Sequence, residues 1–201
     1  MVGIVAALRP EKNHERFIGC AAEILRKRSD SHFVIAGSGP EEEHIRVMAN
    51  RLGVQDAVHL IGSTDEIPAV LSMIDLFVLT SHNEANPVSI LEAMSVQRPV
   101  VAPDVGSIRE SVVDGVTGYV IAKNDLAQMT DRWLAILNNP SRAWEMGAAA
   151  RRHVQKVGSL DSMTEGYSRL IEDLYRRQTD RKFQENMLNN PGGSPEPVIF
   201  A

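Results

Sequence analysis

The chain has 201 residues, of which 43% are hydrophobic and 23% charged, and its formal net charge is −5. That length suits one domain, or one domain with a tail, and it can bury about 70% of the unfolded surface without a disulfide or metal staple. The composition excludes wholesale disorder, and the acidic balance excludes a broad nucleic-acid-binding surface, because neutralising phosphates takes a basic excess.

Six short runs are apolar at consecutive positions: VGIVAAL (2–8), HFVIAG (32–37), AVHLIG (57–62), DLFVLT (75–80), PVVAP (99–103) and GYVIA (118–122). This is the pattern of strands buried on both faces, as in a parallel sheet. Helical stretches with start signals lie between them. Asn13 is expected to cap a helix reaching about Arg28, and Pro40 to open one that Gly53 stops. Ser63 with Glu66, and Ser107 with Glu110, have capping-box spacing. Asn86 and Pro87 are read as cap and first-turn residue of another helix. Beyond Asn124 the alternation ends, and helices are expected at 125–138, 141–156 and 160–178. The order predicts an α/β fold: a Rossmann-like, doubly wound, six-stranded parallel sheet with extra C-terminal helices. The expected domain is 1–178. Residues 179–201, with three prolines and two glycines, read as a disordered tail.

Several chemistries drop out early. The single cysteine, Cys20, allows no internal disulfide and no cysteine-based metal cluster, and its apolar helical position reads as core. Met73, Met94 and Met129 read as core by the same periodicity. The six histidines contain no i,i+4 pair, so no metal site is expected. No nucleophile elbow or P-loop occurs. No apolar run is long enough for a signal h-region or membrane span, which gives the expectation of a soluble, cytoplasmic protein.

In open α/β sheets the turns after the strands carry the ligand sites. In the first, Arg9 and Lys12 precede a helix start. They suit a bound anion there, although two solvated loop charges explain them as well. In the second, Gly37 and Gly39 resemble a dinucleotide turn. However, Glu42 stands where the third glycine belongs, and Glu41, Glu42 and Glu43 would repel a pyrophosphate. The two glycines still let backbone approach a flat ligand. The turn after the fourth strand, TSHNEANPVSILEAM, is the most informative. With no acid at Val88, Ser89 or Ile90, free N–H groups at that helix start form an anion site. Glu84 and Glu92 flank it, and carboxylates accept well from sugar hydroxyls. Residue physics leaves this reading even with an ordinary helix carrying Glu92 on its surface.

The segment SHNEANPVSILEAMSVQRPVVAPDVGSIRESVVDGVTGYVI (81–121) resembles the donor-binding half of the retaining family-4, or group 1, glycosyltransferases. The resemblance rests on Glu84 and Glu92 seven residues apart, Ala93-Met94, Pro99-Val100-Val101, Gly106, Glu110, and Gly115 to Gly118. RPEKNH, FVIAGSGPE, HLIG and SMIDLFVLTS match upstream, in order. It implies a GT-B architecture of two Rossmann-like domains, of which this chain resembles the C-terminal one. The implied activity is transfer of a sugar from a UDP-, GDP- or ADP-sugar with retention and with no metal or other cofactor. A preceding domain, absent here, would bind an acceptor sugar or lipid-linked glycan, and the full-length enzyme could associate peripherally with a membrane.

By position, Lys12 would contact the diphosphate and Glu84 the transferred sugar, and these two are the implied catalytic residues. Asn86, Val88 and Ser89 would bind sugar and phosphates through backbone, and Glu92 the ribose. Gly37, Gly62 and Ser63 would border the base. Two positions depart from the family pattern. Ala7 replaces the usual arginine, with Arg9 the implied substitute, and Ala85-Asn86-Pro87 replaces Gly-Phe-Gly. A GT-B nucleotide-sugar epimerase and a non-catalytic nucleotide-sugar-binding module are the alternative readings.

Overall fold

The computed structural model describes residues 1–189, with side chains through residue 181. Strands and helices alternate as β1 (Val2–Val5), α1 (His14–Lys27), β2 (Phe33–Ala36), α2 (Glu42–Leu52), β3 (Val58–Gly62), α3 (Ile67–Met73), β4 (Leu76–Val78), α4 (Val88–Ser95), β5 (Val100–Pro103), α5 (Ile108–Ser111) and β6 (Gly118–Ile121). Then come α6 (Leu126–Leu137), α7 (Pro140–Val157) and α8 (Leu160–Asn189). The sheet is the six-stranded parallel one expected, in the order β3-β2-β1-β4-β5-β6. Its winding reverses between β1 and β4, whose Val2 and Leu76 are register partners. In open α/β sheets the carboxyl ends of the strands at such a reversal are where a ligand crevice lies.

The four inner strands are buried almost throughout, as continuous apolar runs require. The outermost strand β3 departs from expectation: His59 and Ile61 are exposed, because one edge and one face of that strand lack a covering layer. The core continues through α1 and α6. Phe17 meets Phe33 edge-on at 6.1 Å and Trp133 at 5.4 Å between ring centroids. Cys20 is buried, and burial pushes its thiol up to about 12. Met94 and Met129 are core residues, whereas Met73, expected there too, is exposed at the last turn of α3.

The helix starts differ from those read in the sequence. Asn13 is the N-cap of α1, but it sits in the left-handed region with no side-chain cap bond. Pro40 lies in a turn, and α2 begins two residues later. Pro87, not Asn86, caps α4. Neither capping box forms. Glu66 is itself the N-cap of α3, and Ser107 Oγ donates to the Ala85 carbonyl. The Ser107 hydroxyl thus serves a loop, since a short polar side chain bonds whichever backbone group the tertiary structure brings near.

The chain divides into two compact units, Met1–Lys156 and a second that begins at Val157. The first holds the sheet and its helices. The second carries α8, which continues through 179–189, where no proline or glycine interrupts it, past the boundary expected at 178. The rest of the expected tail, 190–201, lies outside the described residues.

Two expectations follow from this packing. Trp133→Ala should cost about 3–5 kcal/mol, because it empties a fully buried site against Phe17; urea unfolding of both proteins measures it. His14 is 3% exposed, and burial, then the Lys12 charge, lowers its pKa from 6.5 to about 4. The unfolded chain therefore binds this proton first, and stability present above pH 6.5 is lost as pH falls toward 4. Between pH 7 and pH 5 the loss from this group should be about 2 kcal/mol. His14→Leu should flatten the pH dependence of the urea midpoint by that amount.

Candidate functional site

The crevice between β1 and β4 brings together two loops that are 72 residues apart in sequence. The chain leaves β1 through Leu8, whose buried side chain fixes the loop, and makes a 3₁₀ turn over Pro10–Lys12. Asn13 takes a left-handed conformation (φ 52°) to redirect the chain into α1. Thr80 Oγ1 then donates to the Lys12 carbonyl at 2.9 Å, and His82 N–H donates to the Glu11 carbonyl at 2.8 Å. These two bonds fasten the loop after β1 to the loop after β4.

At that seam Lys12 Nζ donates to both oxygens of Glu84, at 2.7 and 3.0 Å. Ser81 Oγ, fully buried, donates to Glu84 Oε1 at 2.5 Å. The Glu84 side chain is 6% exposed and that of Lys12 25%. A carboxylate held by an ammonium and a hydroxyl in this way is fixed in direction. The Glu84 backbone is held as firmly. Ser107 N–H donates to its carbonyl at 3.2 Å, and Gly106 (φ 53°) packs so close that a Cβ there would lie 1.6 Å from that oxygen. Only glycine fits that approach.

The N-terminus of α4 adjoins this pair in sequence. No acidic residue lies in its first turn, and Val88 N–H and Ser89 N–H make no hydrogen bond among the described residues. Val88 is exposed and Ser89 half-buried, so these donors face an open surface. Asn86 is exposed. Glu92, one and a half turns into the helix, is half-buried, and its carboxylate has no partner among the described residues. The helix dipole and the two unpaired donors make this end receptive to an anion.

Gly37, Gly62 and Ser63 meet at the carboxyl ends of β2 and β3. Gly37 N–H donates to the Gly62 carbonyl at 2.8 Å, and Ser38 Oγ lies 2.7 Å from Ser63 Oγ. A Cβ on Gly37 would lie 2.0 Å from the Ala6 carbonyl, so this turn hugs the end of β1. Arg9 is exposed, as is Ala7. Arg9 lines a cavity of about 210 Å³ with His14, beside the crevice. Among the described residues no cluster of three or more side chains could hold a metal ion, and no helix is long and apolar enough to cross a membrane.

The structure thus joins Lys12 to Glu84 directly, a meeting that no spacing in the chain announces. It also adds Thr80, Ser81 and His14 to the neighbourhood. For Ser81 the available signal in the sequence is its spacing of three from Glu84, since a tight loop lets residues i and i+3 meet.

Residues 1–153 match the family model described as glycosyl transferases group 1. The chain is 37% identical over 141 residues to an alpha-D-kanosaminyltransferase from Streptomyces kanamyceticus, covering 69% of this chain and 36% of that protein. It superposes on a structure of TarM from S. aureus, in complex with fondaparinux, alpha-GlcNAc-glycerol and UDP, with a TM-score of 0.80 and 30% identity, over 84% of this chain and 34% of that one. The C-terminal domain of a group 1 family protein from Francisella tularensis shares the fold at a TM-score of 0.72 and 23% identity, with 79% of this chain and 86% of that chain covered. The chain spans about a third of the length of the kanosaminyltransferase and of TarM. Together with the parallel sheet and the Glu84–Glu92 helix, the family match and the 37% identity show that this chain belongs to the group 1 glycosyltransferases.

Proposed function

We propose that this chain is the donor-binding half of an enzyme that moves a sugar from a nucleoside diphosphate sugar to an acceptor with retention of configuration. The Lys12–Glu84 pair, set beside the open α4 N-terminus at the switch point of the sheet, carries the reading. A diphosphate entering this crevice meets the Lys12 ammonium and the Val88 and Ser89 N–H groups. As it takes up Lys12, Glu84 loses its bidentate partner and gains free lone pairs for hydroxyls of the transferred sugar. Ser81 keeps the carboxylate in place during that exchange.

The chemical demand on the protein is to stabilise the negative charge that builds on the departing diphosphate. Donors that are already aimed and partly dry stabilise such charge without reorganising. Lys12 and the α4 N-terminus supply them, with Arg9 as the nearest further cation on the same loop. The exposed Ala7 supplies none. Pro87 lacks an N–H, so the phosphate contacts rest on the two residues after it. Glu92, half-buried and unpaired among the described residues, is the acceptor for ribose hydroxyls. UDP is the nucleotide named in the TarM complex, which supports a uridine donor for this chain. The acceptor would lie across a cleft completed by a second domain, consistent with the third of TarM that this chain spans.

Calorimetry with UDP, GDP and ADP tests the donor assignment. A charged hydrogen bond contributes about 1.5–3 kcal/mol, so Glu92→Ala should weaken nucleotide binding by about tenfold or more while leaving the urea midpoint in place. Unchanged binding would remove Glu92 from the ribose. The isolated 201-residue chain should bind nucleotide yet give no acceptor-dependent transfer. Turnover by the purified chain in a coupled assay for released nucleoside diphosphate would contradict the half-enzyme reading.

A further inference from the structure

Two histidines away from the donor crevice meet across β2 and β3. His32 directly precedes β2, and His59 is the second residue of β3. Phe33 pairs with Val58 and Val34 with His59, so the alternation of side chains puts His32, Val34 and His59 on one face of the sheet. Val34 packs with Val70 of α3, whereas both histidines are exposed. The pair is 27 residues apart in sequence, so a search for histidines four apart on a helix does not find it. His32 Nδ1 lies 3.1 Å from His59 Nε2, with the ring centroids 5.3 Å apart and the planes tilted by 31°. The backbone beneath is fixed. The His32 carbonyl accepts from Val2 N–H at 2.9 Å, and Phe33 N–H donates to the Ala57 carbonyl at 2.8 Å.

That separation is the one two nitrogens take on a single metal ion. At a zinc–nitrogen distance of about 2.0–2.1 Å, a tetrahedral angle sets two ligand nitrogens about 3.3–3.4 Å apart. The right angle of a square-planar copper site sets them about 2.8–3.0 Å apart at the same bond length. The 3.1 Å spacing falls between the two, so small ring rotations reach either. In the metal-free pair one nitrogen donates its proton to the other. For both to ligate, the donor ring takes its other tautomer, with the proton on its outer nitrogen. Neither outer nitrogen has a protein partner among the described residues, so the shift breaks no other bond and leaves the proton count of the pair unchanged. Because both rings are exposed, an ion and the waters that complete its shell can reach them.

We propose that His32 and His59 form a two-imidazole chelate for a divalent transition-metal ion such as zinc, with water in the remaining positions. Imidazole suits Zn²⁺, Cu²⁺ and Ni²⁺, whereas Mg²⁺ and Ca²⁺ take oxygen ligands. Among the described residues no third histidine, cysteine or carboxylate joins the pair, so the protein supplies two ligands only. The site lies toward the amino ends of β2 and β3, away from Gly37 and Gly62 at their carboxyl ends, and is independent of the glycosyltransferase reading. Its effect is mechanical. β3 is an outermost strand with one neighbour in the sheet, and an ion held by His32 and His59 clips it to that neighbour. An ion that binds the folded form alone stabilises it by mass action.

The test uses the whole untagged chain without nucleotide, titrated with zinc chloride in calorimetry and with Cu²⁺ in electron paramagnetic resonance. The expected result is one Zn²⁺ per chain and a Cu²⁺ spectrum with nitrogen splitting from two imidazoles. Losing only an outer partner of a metal ligand typically costs about 10–100-fold in affinity, so His32→Ala and His59→Ala should each weaken zinc about tenfold or more. Zinc should raise the Tm of the native chain and fail to do so in either variant. The glutamine variants at the same positions keep the test open if an alanine variant melts early without zinc. His44→Gln, which removes the other histidine contact, that with Glu15, should leave zinc binding unchanged. The proposal is overturned by an absence of saturable zinc binding, by binding that survives both single substitutions, by binding that His44→Gln abolishes, or by Mg²⁺ binding as tightly as zinc.

Discussion

The ammonium of Lys12 faces the carboxylate of Glu84 across the junction of β1 and β4, and the architecture of the carboxyl edge is arranged around that meeting. Taking two charges out of water costs several kcal/mol per ion, and their attraction offsets this only when geometry is good and the remaining lone pairs are satisfied. Here two oxygens share one ammonium and the Ser81 hydroxyl completes the shell. The pair is also only partly dry, because Lys12 keeps a quarter of its side chain exposed. A fully buried pair would be a static brace. An edge-exposed one can trade its partner for a more highly charged one.

That trade needs a rigid background. The loop after β1 is tied to the loop after β4 by Thr80 and His82, and Glu84 is tied to α5 through Ser107. Gly106 lets α5 press against the Glu84 backbone so closely that no other side chain fits. Binding geometry held by backbone contacts of this kind does not have to be rebuilt when a ligand arrives, and preorganisation of that sort is what makes polar groups effective in a site. The α4 N-terminus contributes differently, through donors that no protein group uses.

Much of this was legible in the sequence. Consecutive apolar residues in the inner strands announce burial on both faces, and the spacing of Glu84 and Glu92 around a helix start announces the crevice. The parts that stayed hidden depend on distance in space. Nothing in RPEKNH says that Lys12 ends against Glu84, because the meeting is set by strand order and not by either loop. The helix caps are hidden for a related reason. Ser107 has the right chemistry for a capping box, but the Ala85 carbonyl, brought in from another loop, competes for its hydroxyl. β3 misled because its apolar run is that of an inner strand while its place is at the edge. His14 was read as one more histidine without a partner four residues away, and only its burial beside Lys12 distinguishes it.

Cys20 sits on the buried face of α1, and burial holds its thiol protonated far above neutral pH. Thiol reagents act on exposed thiolates, so the native chain should be blind to them. No other cysteine exists in the sequence. A cysteine placed at an exposed position such as Val88 would therefore be the one reactive group on the folded molecule, and a dye attached there would report directly on events at the α4 N-terminus. The same buried thiol would become reactive only when α1 leaves the core, which gives the chain a built-in chemical signal of its own unfolding.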